Sequence, residues 1–147
     1  MRALETFIEY QEASASLYKL FADKNPLKRD FWLALHMEKK LLTRWMRTIY
    51  LGMGPEKLGL MPGRLDMVFL QNCINFITTQ IAAWKKKELT FAQALLISIK
   101  VESVLLQKGF FNRHQSDAPM LKQLLGSLER SYLNFYGRLK EALEIVG

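Results

Sequence analysis

Residues Phe31 to Leu42 read FWLALHMEKKLL. At helical spacing, Phe31, Ala34/Leu35, Leu41/Leu42 and then Trp45 make one apolar stripe. Glu38 falls in the middle of it. A carboxylate on such a stripe must be paired, protonated or bound to a metal, because burying it bare is costly. Two more acids stand in similar places further along the chain, and the functional reading rests on that repetition.

Upstream, the spacing predicts a helix from about Arg2 to Asp23. Its stripe is Leu4, Phe7/Ile8, Ala15, Tyr18 and Phe21/Ala22, with Gln11 in line between Ile8 and Ala15. Asp23-Lys24-Asn25-Pro26 breaks it, Pro26 suiting the first turn of the next helix and Asn25 its cap. So short a connection makes an antiparallel hairpin with a second helix that runs to about Leu51. Residues 52–63, GMGPEKLGLMPG, hold four glycines and two prolines and are read as a linker.

A crossover helix then spans residues 64–88, apolar on more than one face through Leu65, Val68, Phe69, Ile74, Phe76, Ile77, Ile81 and Trp84. That pattern predicts a homodimer through the crossover helix. Thr90 opens a further helix, with Gln93 at the capping-box position. Its stripe is Leu95, Ser98/Ile99, Leu105/Leu106 and Gly109, and Glu102 lies within it. Phe110 to Pro119 form the next break; its phenylalanines are read as hairpin packing, with Phe110/Phe111 the aromatics nearest to meeting a partner. The last helix, about Ala118 to Ile145, turns Leu121, Leu124/Leu125, Leu128, Tyr132, Phe135/Tyr136, Leu139 and Leu143 inward, with Glu129 beside that stripe. No alternating β-branched run calls for a strand. The expectation is one all-α domain over 1–147: a four-helix bundle of two antiparallel hairpins (1–51 and 90–147) joined by the crossover helix.

Composition narrows the classes. Half the residues are hydrophobic and four are Pro, which fits a packed core. Cys73 is the only cysteine, so neither an internal disulfide nor a cysteine metal knuckle is possible, and a reducing compartment is expected. The acid-rich start, MRALETFIEYQE, argues against a signal peptide, which gives a cytoplasmic reading. Met67 to Trp84 carries, besides its apolar residues, Gln71, Asn72, Asn75, Thr78, Thr79 and Gln80, so no membrane span is expected. The net charge of +7 is spread along the chain: residues 1–50 hold nine Lys/Arg and six Asp/Glu, residues 51–147 twelve and eight. No nucleic-acid signature accompanies it, and a solvated basic surface is the reading adopted.

Gln11, Glu38, Glu102 and Glu129 thus stand midway along four expected bundle helices, where they can converge at one depth. With them the sequence resembles the ferritin-like superfamily, its rubrerythrin branch in particular. Ala94 to Glu102, ALLISIKVE, looks like that family's third bundle helix, which carries a metal-binding Glu at the Glu102 position. Gln11 stands seven before Tyr18, as a family Glu does before its Tyr. The family's two Glu-x-x-His motifs correspond to Glu38 to Leu41 and to Glu129 to Tyr132. The resemblance implies a ferritin-like bundle and a di-iron carboxylate site in which Glu38, Glu102 and Glu129 remain. Leu41 and Tyr132 replace the two histidines, Gln11 replaces a terminal carboxylate, and the rubredoxin-like cysteine module is absent.

Two readings follow. In the favoured one the chain is a non-catalytic binding or structural protein without a cofactor, its protein partner unnamed by the sequence. Gln11 then donates its amide to one acid, Tyr132 or Tyr18 its hydroxyl to another, and crowding raises the carboxyl pKa values. In the alternative, Glu38, Glu102 and Glu129 still bind iron or manganese, with Tyr132 as an extra oxygen ligand, in an oxidoreductase or metal-handling protein.

Overall fold

A computed structural model describes residues 2–57, 64–113 and 119–146. Among these residues six α-helices follow in order: α1 (Arg2–Lys24), α2 (Arg29–Lys57), α3 (Arg64–Trp84), α4 (Phe91–Gln107), the one-turn α5 (Phe110–Arg113) and α6 (Pro119–Val146). A single 3-10 turn, Pro26–Lys28, joins α1 to α2. There is no strand among the described residues, and none of their helices is long and apolar enough to cross a membrane.

α1 packs along both α2 and α3, and α4 packs along α6 and the short α5. The α1–α2 pair is antiparallel, as its contacts show: Tyr18 stacks on Trp32, His36 meets the Ala15 carbonyl, and Lys39 meets Gln11. From Phe7 onward the core-facing line of α1 is the expected one, the Leu4 side chain lying outside the described residues. Phe7, Ile8, Gln11, Ala15, Tyr18, Phe21 and Ala22 are all buried, and Tyr10, Ser14 and Leu17 join them. On α6, Leu124, Leu125, Leu128, Tyr132, Phe135 and Leu139 are buried as the spacing predicts.

α2 is rotated from the expected face. Its buried line is Trp32, Leu35, Lys39, Thr43 and Met46, while Leu41 is 56% exposed and Met37 and Trp45 are exposed with it. The helix is apolar on two sides, and packing has to choose one. Trp32 decides it. Its indole stacks on Tyr18 at 5.8 Å and meets Phe21 edge-on at 5.0 Å, and a buried tryptophan removes more apolar surface from water than Leu41 would. Residue 39 then points inward and residue 38 lies about 100° round the helix.

The helix ends differ from expectation in three places, the first being α3, which stops at Trp84, four residues short of the expected 88. α2 continues through Gly52 and Pro55 to Lys57, six residues beyond the expected stop, because glycine lowers helix propensity without forbidding the conformation. The rest of the expected linker, 58–63, lies outside the described residues, as do residues 114–118 of the expected break before the last helix. Gly109 adopts φ +64°, the left-handed geometry that ends α4 and turns the chain back sharply. That turn places Phe110 and Phe111 in the core against Phe7 and Tyr132, the hairpin packing expected of the Phe-rich turn.

On α3, Leu70, Ile74 and Ile77 are buried, and Phe69, Cys73, Phe76, Ile81 and Trp84 pack partly against the same core. The outward residues include Gln71, Asn72, Asn75, Thr78 and Thr79. Its inner apolar face is occupied within the chain, while Val68 on the outer side is 59% exposed.

Candidate functional site

Four helices send one polar side chain each to a common point in the core: Gln11 from α1, Lys39 from α2, Glu102 from α4 and Tyr132 from α6. All four are fully buried. The Lys39 ammonium donates to Glu102 Oε1 at 2.7 Å and to Gln11 Oε1 at 3.2 Å. It lies 4.0 Å from the Tyr132 ring centroid and 4.3 Å from that of Phe135. The cation is thus held by a carboxylate, an amide oxygen and two aromatic faces, each favourable to positive charge out of water.

The surrounding hydroxyls complete the network. Tyr18 donates to the second carboxylate oxygen of Glu102, and Tyr132 donates to Gln11 Oε1. Tyr10 donates to the Val101 carbonyl, one residue before Glu102. Ser14, Thr43 and Ser98 turn back onto the carbonyls of Tyr10, Lys39 and Ala94, four residues earlier on their own helices, so they place no further demand on the core. Gln11 Nε2 is buried with no hydrogen-bond partner among the described residues. Both donors that reach Gln11 take its oxygen, which fixes that amide orientation.

Burial sets the electrostatics. It pulls the Lys39 ammonium below its ordinary pKa, with Glu102 acting in the opposite sense. Burial pushes the phenols of Tyr10, Tyr18 and Tyr132 well above theirs, and the Glu102 charge adds to each shift.

The structure brings together four of the residues singled out by sequence: Gln11, Tyr18, Glu102 and Tyr132. It does not bring in the other two acids. Glu38 is at the surface, ion-paired with Arg138 at 2.6 Å. Glu129 is half-buried beside Leu128, off the line that carries Tyr132 inward. Leu41, the position of an expected histidine, faces outward. No group of three Asp, Glu, His or Cys side chains able to hold a metal occurs among the described residues. The Tyr18 bond to a carboxylate follows the expectation. Gln11 reverses it, accepting from a cation where it was expected to donate to an acid.

Lys39 is the residue that sequence reasoning missed. A signal for it exists: Trp32, Leu35, Leu42 and Met46 stand at heptad-like spacing, and Lys39 sits between them on that line. Tyr10 was missed as well, since it flanks the counted stripe on α1.

A divalent metal does not fit this donor set. One carboxylate converges on the site, its Oε1 already accepts from an ammonium, and a second cation at that distance would be repelled. No protein family, curated protein or solved structure matches the chain.

Proposed function

We propose that the chain is a ferritin-like four-helix bundle serving as a non-catalytic binding or structural protein, in which the Lys39 ammonium takes the place that metal ions hold in that superfamily. The observation that carries this reading is the buried Lys39–Glu102 ion pair, closed by Gln11, Tyr18 and Tyr132. Four helices contribute to one polar centre at one depth, as in a di-metal bundle. The charge that a carboxylate requires at that depth is supplied from within the chain, fixed and redox-inert.

The test is metal loading. Purified protein is incubated with iron(II) or manganese(II), desalted, and assayed for metal content and melting temperature. The expected result is no stoichiometric metal and no shift in melting. A stoichiometric ion that is lost in the Glu38→Ala/Glu129→Ala double variant would overturn this reading in favour of a carboxylate metal site.

A further inference from the structure

A separate recess lies on the surface between α1 and α2, away from the core network. Its volume is about 330 Å³, at the small end of the range for ligand sites. Along its α2 wall stand His36, Lys40, Arg44 and Arg47, three or four residues apart and so on one side of the helix. Arg47 is neutralised by Glu12 of α1 at 2.7 Å. Lys40 and Arg44 have no ion-pair partner among the described residues. The small residues Ala15 and Ser16 leave room on the α1 wall.

His36 is oriented for the same recess. Its Nδ1 lies 2.7 Å from the Ala15 carbonyl oxygen, a contact that requires a proton on Nδ1. The carbonyl thus fixes the ring, and Nε2 is the nitrogen left for a ligand.

From this geometry we propose that the α1–α2 recess binds a small phosphate monoester. Two uncompensated cations one turn apart match a dianion, where a monocarboxylate would satisfy one of them. The guanidinium of Arg44 offers a planar fork to two phosphate oxygens, Lys40 a point charge to a third. Ser16 and His36 Nε2 border the space that the ester's organic part occupies. The inference stands apart from the reading of the core: the two share only Thr43, whose hydroxyl is spent on the Lys39 backbone carbonyl and which the proposal does not use.

Two-dimensional NMR of the full chain, titrated with inorganic phosphate and with glycerol 3-phosphate at constant ionic strength, tests it. The expected result is saturable shifts at Ala15, His36, Lys40 and Arg44, tighter for glycerol 3-phosphate. Lys40→Gln and Arg44→Gln each weaken binding by about tenfold, the size of one charge-assisted hydrogen bond. Lys122→Gln, which removes an exposed charge on α6, leaves affinity unchanged. Both recess side chains are exposed, so their variants retain the wild-type melting temperature. Shifts that grow linearly without saturation, equal shifts with added chloride, or equal weakening in Lys122→Gln would each overturn the proposal.

Discussion

Lys39 carries its charge into a largely apolar core, and Glu102 is its ion-pair partner there. Removing one member of such a pair strands the other without water, a loss of roughly 3–5 kcal/mol. Lys39→Met is therefore expected to lower unfolding free energy by about that amount in urea titration. Lys39→Met/Glu102→Leu is expected to recover most of the loss, because apolar replacements of a buried pair are often neutral or better. If the double variant were as unstable as the sum of both singles, the coupling assigned to the pair would be absent. At this scale the sequence made Gln11, Glu102, Tyr18 and Tyr132 legible as inward residues, since each sits among apolar neighbours on a helix with one greasy side. Lys39 and Glu38 were exchanged. α2 has apolar residues on two sides, and a count of hydrophobicity passes over a lysine on the side that packing selects.

Among the elements, the helix starts and turns divide by how local their chemistry is. The α4 start was readable, because its capping box is complete within four residues: Gln93 N–H donates to Thr90 Oγ1 and the Thr90 N–H donates to Gln93 Oε1. Asn25 was read as a cap of the same local kind, yet its side chain makes no cap bond. It reaches across the bundle end. Its amide donates to the Leu89 carbonyl at 2.8 Å, and its oxygen accepts from the buried Trp32 indole at 3.1 Å. Lys24 reinforces the same junction by donating to the carbonyls of Lys85 and Lys87, just beyond α3. The carbonyl partners Lys85, Lys87 and Leu89 lie more than sixty residues away along the chain, so no local pattern announces them. Asn25→Leu is expected to cost roughly 2 kcal/mol or more, since it leaves a buried indole N–H and a carbonyl unsatisfied. Chemical denaturation measures the loss, and the Trp32 indole proton should exchange faster in the variant.

For the molecule as a whole, the buried phenols set a limit on the alkaline side. The unfolded chain loses its tyrosine protons near pH 10, while the folded chain keeps those of Tyr10, Tyr18 and Tyr132. Above that pH the folded state binds more protons than the unfolded one, so stability falls as pH rises. Each phenol contributes about 1.4 kcal/mol per pH unit, and three together about 4. Lys39 acts in the opposite sense, its folded pKa being lowered, but only between that value and the ordinary one near 10.4, and as one group against three. With total stability on the order of 5–15 kcal/mol, unfolding is expected within roughly four pH units above 10. Circular dichroism and phenolate absorbance should then change together; three tyrosines ionising before helix is lost would contradict it. The all-helical character was legible from periodicity at this scale. The seating of one helix pair on the other was not, because it depends on which side of α2 meets α4 and α6. That seating gives the ion pair a further consequence. Its ammonium belongs to the first half of the chain and its carboxylate to the second, so a slip of one helical turn, about 5.4 Å, would strand both. The pair is a keyed joint: a purely greasy seam would accept several alignments of the two halves, and this one accepts a single register.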